Sequence, residues 1–140
     1  MEGIIHAHSG IRWIILFLLL VTVVRAFLNR NNSEFGMQAK LGLFTMISMH
    51  IQLTIGLALL MSGRVAEMTE SLSRFFLMEH TTMMSIAIVL STLGHSLSKR
   101  AKTVQAKYKK QLVFFGLSLL FVLAAIPWPF LSRFSEIGWF

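Results

Sequence analysis

Apolar residues in this chain fall into four long blocks separated by short polar stretches. The blocks cover about 4–28, 41–62, 75–97 and 112–126. A helix needs roughly 20 mostly apolar residues to cross the hydrocarbon core of a bilayer, and the four blocks are read as four such spans. A membrane β-barrel would alternate apolar and polar positions over short stretches, which these blocks do not. Inside lipid every backbone N–H and C=O must bond within the chain, so the spans are expected to be helical.

The connections are short. The segment 29–39 carries Asn, Ser and Gly, which suit a turn. In 63–74, Thr69 and Ser71 are candidate N-caps for the third helix. Pro127 and Pro129 are expected to end the fourth, because proline lacks the donor and clashes with the preceding turn. The tail from Leu131 reads as a short interfacial turn. Short links between successive spans imply an all-α fold, a transmembrane antiparallel four-helix bundle forming a single integral membrane domain over residues 1–140.

Composition sharpens this picture. The chain of 140 residues is 55% hydrophobic and only 14% charged, with a mean hydropathy of +0.69. Soluble domains average about 25% charged residues. The formal charge is nevertheless +7, which by itself would suggest nucleic acid; the four spans make that partner untenable. With no cysteine, disulfides, zinc–thiolate sites, iron–sulfur clusters and thioether-linked haem are excluded.

The basic residues also give a direction. Arg25, Arg30, Lys40, Lys99, Arg100, Lys102, Lys107, Lys109 and Lys110 fall on one side of the spans, and Arg12, Arg64, Arg74 and Arg133 on the other. The positive-inside rule puts the first group in the cytoplasm and both termini outside. Trp13, Trp128 and Trp139 then lie near the outer interface, as an aromatic belt would. The first block reads as a span and not a cleaved leader: its positive charge follows the apolar run, and no A-x-A site appears.

Ionisable residues within spans are costly and point to function. At about 1.5 Å rise per residue, counted from the nearer cytoplasmic boundary, His8 lies roughly 30 Å up and His80 roughly 28 Å up. His50 lies at about 15 Å and His95 at about 6 Å. His8 and His80 are therefore level, on two spans running in the same direction. Two level imidazoles facing each other in an apolar bundle are what a b-type haem needs as axial ligands. Arg12 follows His8 by four residues on the same helix face and would pair with a propionate; Arg64 and Arg74 are further candidates. His6 is an alternative to His8, two positions away and so on another face. His50 must bond something at mid-membrane, and is read as a ligand or a quinone contact, with Thr54 as a nearby partner. His95 beside the basic loop reads as interfacial. Glu79 is adjacent to His80 in sequence but about 100° away around the helix, so it is expected to face another helix or the interface.

Blander readings apply to other positions. Met46 and Met84 stand four residues from His50 and His80, a soft-donor spacing that suits copper, though methionine ordinarily fills gaps in apolar packing. Gly42, Gly56, Ala58, Ser62 and Gly63 would let the second span approach its neighbours. The basic stretch 99–110 encodes topology, with anionic lipid or a partner as a second use. The chain has no nucleophile elbow, phosphate loop or paired-carboxylate motif.

The stretch His6-Ala7-His8-Ser9-Gly10-Ile11-Arg12-Trp13 resembles the opening of a family of small bacterial four-span proteins catalogued as cytochrome B-like. The segments His50-Ile51-Gln52-Leu53-Thr54-Ile55-Gly56-Leu57, Arg74-Phe75-Phe76-Leu77-Met78-Glu79-His80 and Ile126-Pro127-Trp128-Pro129 extend the resemblance over nearly the whole chain. The resemblance implies a b-type haem protein of the bacterial inner membrane, active in electron transfer, and its pattern falls on His8, Arg12, His50 and His80. The expected function is thus electron transfer through haem b held by His8 and His80, in a subunit of a quinone-linked respiratory or redox complex. The competing expectation is a cofactor-free accessory or scaffold subunit, its histidines satisfied by interhelical bonds; a copper-handling protein is a third.

Overall fold

A computed structural model describes residues 2–139 of the chain. Four long helices dominate it: Glu2–Leu28, Gly36–Met61, Glu70–Arg100 and Val104–Ala125, all long and apolar enough to cross a membrane. No strand occurs among the described residues. The first helix packs on the second and fourth, and the third packs on the same two.

The helices overrun the apolar blocks. The second begins at Gly36 and the fourth at Val104, several residues before Leu41 and Leu112. Hydropathy marks where side chains meet hydrocarbon, whereas a helix runs on until its backbone is capped or broken. At the start of the fourth helix, Thr103 supplies the cap by accepting from the Ala106 N–H at 3.1 Å. The third helix starts at Glu70, not at Phe75, with Thr69 in the N-cap position and an acid in its first turn. The Thr69 side chain makes no capping bond, and Ser71 lies inside the helix, so neither acts as the expected side-chain cap.

The core is narrow. Ile15, Leu19, Met49, Ala87, Ile88, Phe115, Val122 and Ile126 form its buried cluster. At most 33% of any spanning window is buried, while Ile14, Phe17, Leu20, Phe44, Ile51 and Leu120 are exposed. Helices apolar on their outer faces as well as their inner ones match a lipid solvent. Met84 packs against the core, the gap-filling role.

The second helix uses its small residues unequally. A Cβ at Gly42 would meet the Gln111 side chain, and one at Gly56 would meet the His8 ring, so both permit close approach. Gly63 does something else. It takes a left-handed φ of 79° as the chain leaves the helix, a backbone region open to glycine and closed to most side chains. Ser62 is the residue just before it and bonds back to the Leu59 carbonyl, and Ala58 is exposed.

A buried polar layer fastens all four helices toward their Lys-rich end. Thr22 and Thr45 share a hydroxyl hydrogen bond of 2.8 Å. Gln38 Nε2 donates to the Thr22 carbonyl at 3.0 Å and to Gln111 Oε1 at 2.9 Å, and Gln111 Nε2 reaches Ser98 Oγ at 3.5 Å. All five side chains are at most 1% exposed. Interhelical bonds of this kind contribute about 0.6 kcal/mol each in membrane proteins.

Candidate functional site: the His8–His80 pair

The last turn of the fourth helix shapes the site. In a helix the carbonyls of Leu123 and Ala125 would accept from residues 127 and 129. Both positions are proline, which has no N–H. Two side chains take the vacated acceptors. The Trp128 indole donates to the Leu123 carbonyl at 2.9 Å, and His80 Nδ1 donates to the Ala125 carbonyl at 2.8 Å. The Ile126-Pro127-Trp128-Pro129 segment thus ends a helix and also anchors an imidazole.

His80 occupies the end of a π-helical turn, Phe75–His80, set within the third helix. Thr81 Oγ1 caps this wider turn by donating to the Phe76 carbonyl, five residues back, at 2.6 Å. Such turns are frequent at functional sites, and no residue pattern in the sequence announces this one. The ring of His80 lies 5.9 Å from Phe75 and 5.6 Å from Phe76, centre to centre. A carbonyl accepts and never donates, so Nδ1 carries the proton and Nε2 of the neutral ring keeps a lone pair.

The ring of His8 lies against that of His80, with centroids 6.4 Å apart and planes inclined by 64°. His6, two residues earlier, is exposed, so His8 is the member of that pair beside His80. Gly56 gives the His8 ring its room: a Cβ there would stand 3.1 Å from His8 Cε1. Gln52, one turn before Gly56, donates to the His8 carbonyl at 2.7 Å. Three buried polar atoms converge here without a hydrogen-bond partner among the described residues: His8 Nδ1, Arg12 Nε and Gln52 Oε1.

Arg12 is held by the tail. It donates to the Trp139 carbonyl and stacks over Trp13 at 5.1 Å. Trp13, Trp128 and Trp139 gather beside it, with ring centroids 6.2–6.5 Å apart. Glu79 is turned to the tail and not to another helix. Both its oxygens accept from Arg133 at 2.9 Å, which raises the Arg133 pKa through that bond. Phe134 is buried next to this pair, 4.5 Å from Phe75, so the tail is packed down as well as turned.

His50 is not brought to this group. It sits on the exposed face of the second helix, where Nδ1 donates to the Met46 carbonyl at 2.8 Å. Thr54 bonds the His50 carbonyl, not its ring. The residue of the second helix that reaches the site is Gln52. Two positions separate it from His50, about 200° around the helix. A helical-phase argument running from Gly56 back one turn would have found it. His95 is farther along the third helix, half-buried at the Lys-rich end. Arg64 and Arg74 lie in and just after the connection between the second and third helices.

The spacing of the two rings, as it stands an edge-to-face contact, can be compared with that of two-point coordination. Metal–nitrogen bonds of about 2 Å put the centres of two imidazoles on opposite sides of one ion about 6 Å apart, close to the spacing observed. No group of three or more His, Cys, Asp or Glu that would hold a bare metal ion is present among the described residues. To serve as ligands, two imidazoles alone would need an ion whose other ligands come from elsewhere, as in a porphyrin. Arg12 Nε, a buried cation donor one turn from His8, suits a carboxylate. No family model, curated protein or solved structure matches the chain.

Proposed function

We propose that this is a b-type haem protein of the bacterial inner membrane, an antiparallel four-helix bundle with both termini on the periplasmic side. His8 and His80 would hold the haem iron, and Arg12 would receive a haem carboxylate. The observation that carries this reading is the His8–His80 contact together with the Ala125 carbonyl on His80 Nδ1. A backbone acceptor on the far nitrogen of an imidazole fixes its tautomer and raises its basicity at the coordinating nitrogen. Haem supplies one-electron exchange when bound. The chain's own part is to hold both rings neutral, orient them from opposite helices and exclude water with Phe75, Phe76 and the tryptophan cluster.

The second redox partner we propose is a quinol in the bilayer. His50 faces outward at mid-span, and donation from Nδ1 to the Met46 carbonyl leaves Nε2 as an acceptor. An acceptor suits the hydroxyl of a quinol better than the carbonyl of a quinone. Such a chain works as one subunit of a quinone-linked respiratory or redox complex, passing electrons toward a periplasm-facing partner.

The test is the visible spectrum of protein purified from haem-replete cells. A Soret band and a reduced-minus-oxidised α-band are expected, both lost in His8→Ala and His80→Ala and both kept in His50→Ala. Absence of a Soret band from the wild type overturns the haem reading and leaves a cofactor-free accessory subunit.

A further inference from the structure

At the opposite end of the helices from the histidine pair, a cavity of about 330 Å³ opens between the second, third and fourth helices. Its lining combines the apolar Phe35 and Leu43 with the cationic Lys40, Lys99 and Lys107, and Lys107 Nζ lies 5.9 Å from the centre of the Phe35 ring. His95 also lines it, and its Nδ1 is buried without a hydrogen-bond partner among the described residues. Acidic side chains are absent from the lining.

The surrounding backbone adds to the positive field. The second helix starts at Gly36, beside the cavity, and Phe35 in the N-cap position offers no side-chain acceptor to its first N–H groups. That helix end therefore presents uncapped donors and the positive pole of the macrodipole. The negative pole of the third helix also lies close, but it is neutralised. Lys107 Nζ donates to the carbonyls of Ser98 and Lys99 at 3.3 and 3.1 Å.

We propose that this cavity binds the phosphate headgroup of an anionic phospholipid. Lys40 and Lys99 pair with the phosphate, the His95 imidazole donates to one of its oxygens, and Phe35 and Leu43 take the first methylenes of an acyl chain. The apolar Phe35 and Leu43 in the lining favour a lipid over a free anion. The inference rests on the membrane-spanning arrangement proposed above and is independent of haem.

The test is native mass spectrometry of the full chain in detergent, titrated with dioleoylphosphatidylglycerol and, in parallel, with dioleoylphosphatidylcholine and inorganic phosphate. Retention of the phosphatidylglycerol is expected, weakened about tenfold or more in the double variant Lys40→Gln/Lys99→Gln. The control Lys109→Gln/Lys110→Gln, which removes two exposed lysines outside the cavity, should bind as the wild type does. Equal retention of the two lipids, or an equal loss in both double variants, overturns the proposal. Displacement of the lipid by millimolar inorganic phosphate overturns the lipid as occupant in favour of a soluble phosphate. Carbonate extraction of membranes tests the spanning arrangement separately, since a chain released to the supernatant fails there whatever its lipid binding.

Discussion

His80 donates to the Ala125 carbonyl at 2.8 Å, an acceptor left open where the chain leaves the helix at Ile126, ahead of Pro127 and Pro129. Replacing both prolines, Pro127→Ala with Pro129→Ala, lifts the block that turns Ile126 out of the helix and restores an N–H at position 129 that can compete for the Ala125 oxygen. We expect the fourth helix to lengthen, the new backbone amide at position 129 to be protected from hydrogen exchange, and the His80 Nδ1 proton to lose its hydrogen-bonded resonance in NMR. Loss of this backbone partner should weaken haem retention about tenfold. An unchanged His80 proton resonance would show that the prolines have no part in anchoring the ring.

Gly56 and His8 supply the second prediction. A Cβ at position 56 would stand 3.1 Å from His8 Cε1, so Gly56→Ala pushes the ring by a few tenths of an ångström, while Gly56→Leu displaces it. The Cε1–H signal of His8 should shift in Gly56→Ala with the helical content unchanged. In Gly56→Leu, haem occupancy should fall about tenfold or more, read from the Soret absorbance per chain. Full occupancy in the leucine variant would mean that His8 is not a ligand.

Much of this arrangement is legible in the sequence, and the reasons differ by residue. The spans are written in runs of apolar side chains, which lipid demands of the whole helix circumference. His8 and His80 can be paired because a rise of about 1.5 Å per residue converts sequence position to depth. Depth already sets His50 apart from the pair, at about 15 Å against roughly 28–30 Å, but it says nothing about rotation, so the outward face of His50 and the inward one of Gln52 cannot be read from it. The polar layer is hidden for another reason. Thr22, Gln38, Thr45, Ser98 and Gln111 come from four helices, and each taken singly is an ordinary polar residue in or beside a span. The π-turn that ends at His80 leaves no mark in the local sequence.

The polar layer makes a third prediction, and its sign depends on how many partners are removed. Gln111→Leu takes the acceptor from Gln38 and leaves a buried amide short of one bond, a cost of about 1–3 kcal/mol. Replacing both partners, Gln38→Leu with Gln111→Leu, removes the unsatisfied group along with the bond and should recover a large part of that loss. Gly42→Ala strikes the same contact from the other side, since its Cβ would overlap the Gln111 amide, and should cost about 1–3 kcal/mol as an overpacked site. Unfolding in mixed micelles with rising dodecyl sulfate measures all three. A double variant less stable than the single one would show that the pair contributes net stability to the fold.

The fourth prediction concerns direction across the membrane. Nine basic residues flank one side of the spans against four on the other, together the 13 in the chain. Most of that excess lies in or beside short loops, where the positive-inside rule operates most strongly. The chain has no cysteine, so a single introduced thiol reports its own location without background. Ser33, in the first connection, and Ser135, in the tail, are both exposed and neither touches the histidine pair. In right-side-out membranes, Ser135→Cys should react with a membrane-impermeant maleimide at once, and Ser33→Cys only after permeabilisation. The reverse order would place the tryptophan-rich end and the His8–His80 pair on the cytoplasmic side, and with them the face from which any electron partner must approach.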